Sequence, residues 1–143
     1  MESLRTLKSV KPLSDATLRV RWSNGIAVDL DLSDLSKKKA FKSLHGRVFQ
    51  GASLDEWRHS VEWPDGTSIG ADALWRRTLL AQGRKDAVTF MDWRMSHGLS
   101  LSEAAEALGL SRRMVAYYSS GAKAVPKTVL LACRGWELAR DAA

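Results

Sequence analysis

A helical repeat of small apolar residues that runs directly into a glycine is the feature that most constrains the fold of this chain. Four apolar residues recur at spacings of three, four and seven, the period of one helix face: Leu101, Ala104, Ala105 and Leu108. Gly109 follows at once, and glycine readily adopts the left-handed conformation that ends many helices. The sequence therefore predicts a short helix and a sharp turn at this position.

A second helix is predicted to begin directly after the turn, with Leu110 in the core and Ser111 as the N-cap. Its inward positions hold Met114, Val115 and Tyr118. Its outward positions carry two arginines, one small residue and one aromatic donor: Arg112, Arg113, Ala116 and Tyr117. Arginine can pair with the O6 and N7 atoms of guanine through two parallel hydrogen bonds. We therefore predict that residues 112–119 form a recognition helix for the major groove of DNA, with Tyr117 either contacting DNA or packing at the domain edge.

Polar and basic residues on either side extend this predicted DNA contact surface. Ser100 or Ser102 can cap the first helix. Lys123 and Lys127 lie in a loop and at a helix start, where positive charge and free amides suit phosphates. No acidic residue occurs between Glu106 and Glu137, and a basic interval of this kind is typical of a phosphate-binding surface.

The N-terminal half shows strand patterning on both sides of Asn24-Gly25. Apolar residues alternate with polar ones before and after this pair: Leu18, Val20 and Trp22, then Ile26, Val28 and Leu30. Asparagine and glycine both tolerate the positive φ angles of a tight hairpin turn. We predict a β-hairpin here, and an earlier strand that holds Leu7 and Val10 and is ended by Pro12.

Apolar periodicity predicts four further elements in this half: a helix from Ser33 to Leu44, a strand starting at Val48 and Phe49, a half-buried strand from Trp57 to Trp63, and a helix from Ala71 to Ala81. Gly46 is expected to end the first of these helices, and Lys37 to Lys39 to form its solvated side. We expect Trp57 and Trp63 to be core or interface residues.

A polar stretch from Gln82 to Asp86 is predicted to be the domain boundary, because strand patterning stops there. Residues 1–81 are predicted to form a small α+β domain with an antiparallel sheet, and residues 82–143 an all-α domain. The latter is expected to open with a helix that holds Phe90 and Trp93 and ends near Gly98. An amphipathic helix is expected to close it, with inward positions at Val129, Ala132, Cys133 and Trp136.

Composition excludes several other classes of protein. The formal net charge is +6, and no window is apolar enough for a membrane span. The stretch from Met1 to Pro12 has no apolar signal core, so we expect a cytoplasmic protein. Cys133 is the only cysteine, which excludes an internal disulfide and a multi-thiolate metal site.

An enzyme is the weakest hypothesis from these residues. Asp29 and Asp31 share a strand face, and with His59 they are the candidates for an active site in the first domain. The other histidines are scattered without metal-ligand spacing, and no glycine-rich phosphate loop or nucleophile elbow is present. We expect no catalytic residues, no cofactor and no metal.

The stretch from Arg94 to Ala132, with LSLSEAAEALGLSRRMVAYYSSG and VPKTVLLA, resembles the phage-repressor (Xre-type) helix-turn-helix domain. Six residues match positions typical of that pattern: Ala105, Gly109, Leu110, Ser111, Val115 and Gly121. Leu101 stands where many relatives have a phosphate-bracing glutamine, a contact that Ser100 and Ser102 could supply, and Ser119 stands where many have a glutamate. The resemblance implies a lambda-repressor-like fold and a sequence-specific transcriptional regulator, a repressor or autoregulator that binds double-stranded DNA as a homodimer.

The first half is similar to a small bacterial α+β domain of unknown function, through its Asn24-Gly25 hairpin and the stretch from Val61 to Gly66 with Ile69 and Leu74. In some relatives this domain precedes a repressor-like helix-turn-helix, and in others it is encoded beside toxin genes. The alternative function that this implies is an antitoxin-like module that neutralises a toxin-like protein partner through residues 1–81.

Overall fold

The first unit of the structure begins with a sheet that contains the predicted hairpin. The computed structural model describes residues 6–14 and 16–142, and the chain divides into two compact units, Met1–Ala81 and Gln82–Ala143. Three antiparallel strands form the first sheet: β1 (Leu7–Pro12), β2 (Thr17–Trp22) and β3 (Ala27–Asp31). Gly25 turns the chain between β2 and β3 with a φ of +95°, and Val20 pairs with Val28. The prediction of a hairpin at Asn24-Gly25 is confirmed.

A second sheet and the remaining helices of the first unit follow in the chain. The elements are two 3-10 helices (Ser33–Lys37 and Lys39–Phe41), α1 (Gly46–Gln50), β4 (Ser53–Leu54), β5 (Ser60–Glu62), β6 (Ser68–Gly70) and α2 (Ala71–Ala81). Strands β4, β5 and β6 pair antiparallel in that order. Helix α2 has the predicted bounds and buries Leu74 and Leu79, while the indole Nε1 of Trp22 on β2 donates to the hydroxyl oxygen of Thr78 at 3.1 Å. This buried hydrogen bond joins the first sheet to α2.

The predicted helix from Ser33 to Leu44 is wrong. Lys38 has an extended backbone with φ −88° and ψ 139°, and it separates the two 3-10 helices. The buried Leu35 and Leu44 still point inward, so apolar spacing was a correct guide to burial but not to helix type. Gly46 begins α1 instead of ending a helix, and Val48 and Phe49 lie in α1 instead of starting a strand.

The predicted half-buried strand from Trp57 to Trp63 is correct only in its second half. The carboxylate of Asp55 accepts hydrogen bonds from the backbone N–H groups of Trp57, His59 and Ser60, which curls this segment into a turn. Trp57 is consequently 71% exposed, whereas Trp63 is 3% exposed and its indole Nε1 donates to the carbonyl of Phe49 at 3.1 Å. Trp63 is therefore a core residue, as expected. Trp57 is not a core residue, and an interface position for it stays a prediction.

The second unit is built from helices in its described residues: α3 (Lys85–Ser96), α4 (Leu101–Leu108), α5 (Arg112–Ser120) and α6 (Lys127–Ala142). Its core is formed by residues of all four helices and of the loop before α6: Phe90, Trp93, Leu101, Ala104, Ala105, Val115, Tyr118, Val125 and Cys133. Helix α3 begins within the polar stretch that was predicted to be a boundary. On α6, Ala132 is exposed instead of facing inward, while Cys133 is buried as expected.

Some residues of the predicted domains lie outside the part of the chain that the structure describes. The predicted domain ranges, 1–81 and 82–143, include residues 1–5, 15 and 143, which lie outside the described residues, as does the start of the stretch from Met1 to Pro12. Among residues 6–14 and 16–142, no helix has both the length and the apolar character that crossing a membrane requires. In the described residues, two small antiparallel sheets and six α-helices give an α+β fold.

Candidate nucleic-acid interface

The turn between α4 and α5 is fixed by local hydrogen bonds. The Oγ atom of Ser100 accepts the backbone N–H of Glu103 at 3.0 Å, and the Glu103 carboxylate accepts the N–H of Ser100, which is a capping box. Gly109 ends α4 with a φ of +69°, and Leu110 donates its N–H to the carbonyl of Ala105. The predicted helix and turn around Gly109 are confirmed.

Helix α5 presents the outward face that the sequence predicted. The Oγ atom of Ser111 caps it by accepting the N–H of Met114 at 3.1 Å. Val115 and Tyr118 are buried, and Met114 is half-buried. The four outward residues share one face, on which two are exposed and two are half-buried: Arg112, Arg113, Ala116 and Tyr117. Residues four apart on a helix are neighbours, so this face is a continuous surface.

Three of the predicted contact residues come together in what we call the Tyr117 cluster, formed by Arg113, Tyr117 and Lys123. The Nε of Arg113 donates to the hydroxyl oxygen of Tyr117 at 2.8 Å, and its guanidinium carbon lies 5.4 Å from the ring centroid. The Nζ of Lys123 lies 4.8 Å from the same centroid. Cation–π contacts at exposed sites contribute about 0.5–1 kcal/mol each. The cluster therefore holds two positive charges against one aromatic ring at the surface.

The remaining predicted contact residues stand apart from this cluster. Arg112, at the start of α5, is exposed, and in the described part of the chain its guanidinium has no hydrogen-bond or ion-pair partner. Ser102 and Lys127 are exposed in the first turns of α4 and α6. Ser100 and Ser111 are the two N-caps, so their hydroxyl oxygens already accept backbone N–H groups.

Two residues that the sequence reading assigned to the domain boundary hold the loop after α5, and we call them the 84–86 clamp. Arg84 donates to the carbonyl of Gly121 at 2.8 Å and to that of Lys123 at 3.3 Å. Asp86 pairs with Arg84 at 3.1 Å and accepts the N–H of Val125 at 2.8 Å. Hydrogen bonds from Arg84, then from the Val125 N–H, lower the pKa of the Asp86 carboxyl to about 2. A carboxylate in the first turn of a helix can be recognised in the sequence, but Val125, the residue whose backbone N–H it binds, lies 39 residues away in the chain.

Arg94, near the end of α3, also supports α5. Its Nε donates to the Oγ of the buried Ser119 at 3.1 Å, and its Nη1 donates to the carbonyl of Leu99 at 3.1 Å. Ser119 was singled out from the sequence, whereas Arg94 was named only as the start of the stretch. The two contacts tie α3 to α5 and to the loop before α4.

The acidic candidates of the first unit have structural partners. Asp29 forms an ion pair with Arg19 at 2.8 Å, and this hydrogen bond lowers the pKa of the Asp29 carboxyl. Asp31 accepts the N–H of Ser33 at 2.8 Å, while His59 is exposed. Among residues 6–14 and 16–142, no three His, Cys, Asp or Glu side chains are grouped as metal ligands would be.

Comparisons with known proteins assign the first unit to a family. The model of the family described as "Protein of unknown function (DUF2442)" matches residues 7–78, from β1 to α2. The chain belongs to this family. The DUF2442 segment thus covers both sheets, and the helices of the second unit follow it.

A solved structure is similar over nearly the whole chain. The crystal structure of "Putative DNA Binding Protein NE0471" from Nitrosomonas europaea is 37% identical, with a TM-score of 0.71. The match covers 93% of this chain and 86% of the Nitrosomonas protein, so it extends from the DUF2442 segment into the second unit. The comparison with curated proteins found no match.

These comparisons correct the expected membership of the phage-repressor (Xre-type) family. That assignment is wrong, because the family that matches is DUF2442 and its match lies in residues 7–78 rather than from Arg94 to Ala132. The six residues that suggested it lie around two helix ends, where Ser111 is an N-cap and Gly109 and Gly121 are left-handed. Such features form wherever short helices meet at a tight turn. Local turn chemistry predicts the shape of the segment and does not identify its family.

Proposed function

We propose that the chain is a sequence-specific DNA-binding transcriptional regulator in which α4 and α5 act as a helix-turn-helix. The observation that carries this proposal is the outward face of α5, where Arg112 is exposed and finds no partner among the described residues, while Arg113 is held by Tyr117. The name of the Nitrosomonas protein, which describes DNA binding, supports the same function. The protein would act as a repressor or autoregulator.

Four residues of this surface fill three roles in the proposed complex. Arg112 is the base reader, since a free guanidinium in the first turn of a recognition helix can reach the major-groove edge of guanine. Ala116, one turn later, leaves room for a close approach of the helix to the bases. Lys123 and Lys127 contact phosphates, which fixes the position of the helix but carries no sequence information.

The proposed regulator acts as a homodimer. Helix α5 has nine residues, so it is about 14 Å long and reaches only a few base pairs in one groove. Two copies of the helix, placed about 34 Å apart, would read two half-sites on the same face of DNA. The bound site is therefore expected to be a two-fold symmetric sequence.

The test is a selection from a pool of random-sequence duplex DNA at two salt concentrations. The wild-type chain is compared with Arg112→Ala/Arg113→Ala, and with Lys37→Ala/Lys39→Ala as a control that removes the same charge from exposed positions of the first unit. We expect the wild type and the control to select the same symmetric site, and the α5 variant to lose it. If all three proteins show only weak, salt-sensitive binding to every sequence, the proposal is wrong.

A second candidate function is protein binding by the first unit, which Trp57 favours. Its indole is 71% exposed on a turn fixed by three hydrogen bonds to Asp55, and tryptophan is enriched in the energetic centres of protein interfaces. The partner would be toxin-like if the antitoxin-like alternative applies. A native pull-down with wild type and Trp57→Ala tests this: a partner retained by the wild type and lost by the variant supports it, and an identical set of partners contradicts it.

A further inference from the structure

We infer that the 84–86 clamp, Arg84 and Asp86, positions the DNA-contacting loop that follows α5 and so sets the place of Lys123 at the interface. This inference rests on the proposed function. It adds two positioning residues: Asp86, which lies on α3, and Arg84, which directly precedes α3. They act on DNA through the loop rather than by touching it.

The clamp forms hydrogen bonds along the loop formed by residues 121–125. Arg84 takes the carbonyls of Gly121 and Lys123, and Asp86 takes the N–H of Val125. Three backbone groups within five residues are thus bound to two side chains that also pair with each other at 3.1 Å. The Arg84–Asp86 pair is partly buried, with 29% and 25% of the two side chains exposed, so it is less screened than a surface pair.

Helix α5 also holds the loop, through Tyr117. The N–H of Lys123 donates to the carbonyl of Tyr117 at 3.4 Å, and its Nζ lies over the Tyr117 ring. Between these supports the side chains of residues 122–124 are exposed, so the loop has little packing of its own there. Without the clamp the loop would gain conformational freedom in the free protein. Ordering the loop on DNA would then cost conformational entropy, which would weaken binding.

Removal of the Asp86 charge distinguishes positioning of the loop from simple electrostatic attraction, because the two predict opposite changes in DNA affinity. Asp86→Ala removes a negative charge from a unit that is proposed to bind a polyanion, so electrostatic attraction alone predicts tighter DNA binding. The clamp predicts weaker binding, because the Val125 N–H and the Arg84 guanidinium both lose a partner. Asp86→Asn is a second variant that keeps an acceptor for Val125 and is expected to fall between Asp86→Ala and the wild type.

The experiment combines a measurement on the free protein with one on the complex. Amide hydrogen exchange of Lys123 and Val125 is measured by NMR in the wild type, Asp86→Ala, Asp86→Asn and Lys123→Ala. Binding is measured against salt concentration on the duplex that the wild type selects, about 24 base pairs long to hold two half-sites. Asp86→Ala/Lys123→Ala completes a double-mutant cycle.

We expect Asp86→Ala to speed exchange of the Val125 amide by at least about tenfold and to weaken DNA binding by about three- to tenfold. The salt slope should fall by about 0.9, as it should for Lys123→Ala, and the double variant should bind no more weakly than Lys123→Ala alone. Faster exchange with unchanged or tighter binding would overturn the inference and leave the proposed function intact. Selection of no duplex by the wild type would overturn both, and unchanged exchange in Asp86→Ala would show that the clamp does not hold the loop.

Discussion

The Nε of Arg113 donates a hydrogen bond to the hydroxyl oxygen of Tyr117, one helical turn later, at 2.8 Å. The same ring carries the Nζ of Lys123 at 4.8 Å from its centroid. Tyr117 therefore fixes one cation from α5 and one from the following loop, so that neither has to be ordered when a ligand binds. Such preorganisation contributes to affinity by lowering the entropic cost of binding.

Tyr117→Phe should weaken DNA binding without weakening the fold. The ring and its cation–π contacts remain, but Arg113 loses the hydroxyl that orients it, and we expect a loss of about 0.5–1.5 kcal/mol in binding free energy. Tyr117→Ala, which also releases Lys123, should lose more. Fluorescence anisotropy with a labelled duplex measures both, and equal affinities for all three proteins would contradict this role of the ring.

Arg112→Ala and Lys127→Ala should change DNA binding in different ways. Loss of a bidentate arginine contact removes about 1–3 kcal/mol of discrimination at one base pair, so Arg112→Ala should bind related sequences more equally. Lys127→Ala should weaken binding to all sequences alike and lower the salt slope by about 0.9. Competition with single-base variants of the selected site separates the two effects, and a uniform loss for Arg112→Ala would count against base reading by that residue.

Acid should destabilise the second unit through Asp86. Its pKa of about 2 in the folded chain lies below the value of about 3.9 for an unfolded chain. The contribution of the carboxylate to stability is therefore complete above about pH 4 and is lost as the pH falls towards 2, for a total on the order of 2 kcal/mol. Denaturant unfolding across this range should show a steeper loss in wild type than in Asp86→Asn. Parallel curves for the two proteins would mean that Asp86 does not have this lowered pKa.

The hydrogen bond between Trp22 and Thr78 should be essential to the first unit. Thr78→Val keeps the shape of the side chain but leaves the buried indole N–H of Trp22 without an acceptor, at a cost of about 1–3 kcal/mol. Thr78→Ser keeps the hydroxyl and should retain this hydrogen bond. Urea unfolding monitored by tryptophan fluorescence measures the stability of each variant, and a Thr78→Val variant as stable as the wild type would contradict the contribution of this bond.

The two tryptophans that the sequence pattern treated alike should respond differently to truncation. Trp63→Ala removes a side chain that is 3% exposed and should cost about 3–5 kcal/mol in the free energy of unfolding. Trp57→Ala removes one that is 71% exposed and should change that free energy by less than about 0.5 kcal/mol. A large loss of stability in Trp57→Ala would contradict the exposed placement of its ring.

Local chemistry explains which parts of the fold the sequence could predict. The Asn24-Gly25 hairpin, the bounds of α2 and the turn at Gly109 depend on neighbours within a few residues, and all three were predicted. Residues 33–50 were not, because a short apolar spacing fits a 3-10 helix as well as an α-helix or a strand. Their conformation is decided by partners far along the chain, such as Arg77, which pairs with Asp34 at 2.7 Å.

The same reason limits what could be predicted of the candidate site. The outward face of α5 follows from helical periodicity alone, and the structure places its four residues together. The segment from Gln82 to Asp86 has the polar composition of a linker, and the sequence therefore predicted a boundary there. The role of Arg84 and Asp86 could not be predicted, because the backbone groups that they bind belong to a loop nearly forty residues later. Trp57 was misplaced because alternation continued through a turn that Asp55 closes.

The most direct test of the central claim is site-directed DNA cleavage from a probe near the C-terminal end of α5. The chain has one cysteine, Cys133, whose burial raises the pKa of its thiol to about 11, so an added surface cysteine can be labelled selectively. An iron–EDTA probe is attached at Ala122→Cys, an exposed position two residues after α5, and at Leu138→Cys, an exposed position on α6, as the control. We predict strong cleavage from Ala122→Cys at the edge of the major groove of each half-site, and weaker, differently placed cleavage from Leu138→Cys. Cleavage that is absent from the Ala122→Cys probe while the DNA remains bound would contradict the placement of α5 in the groove.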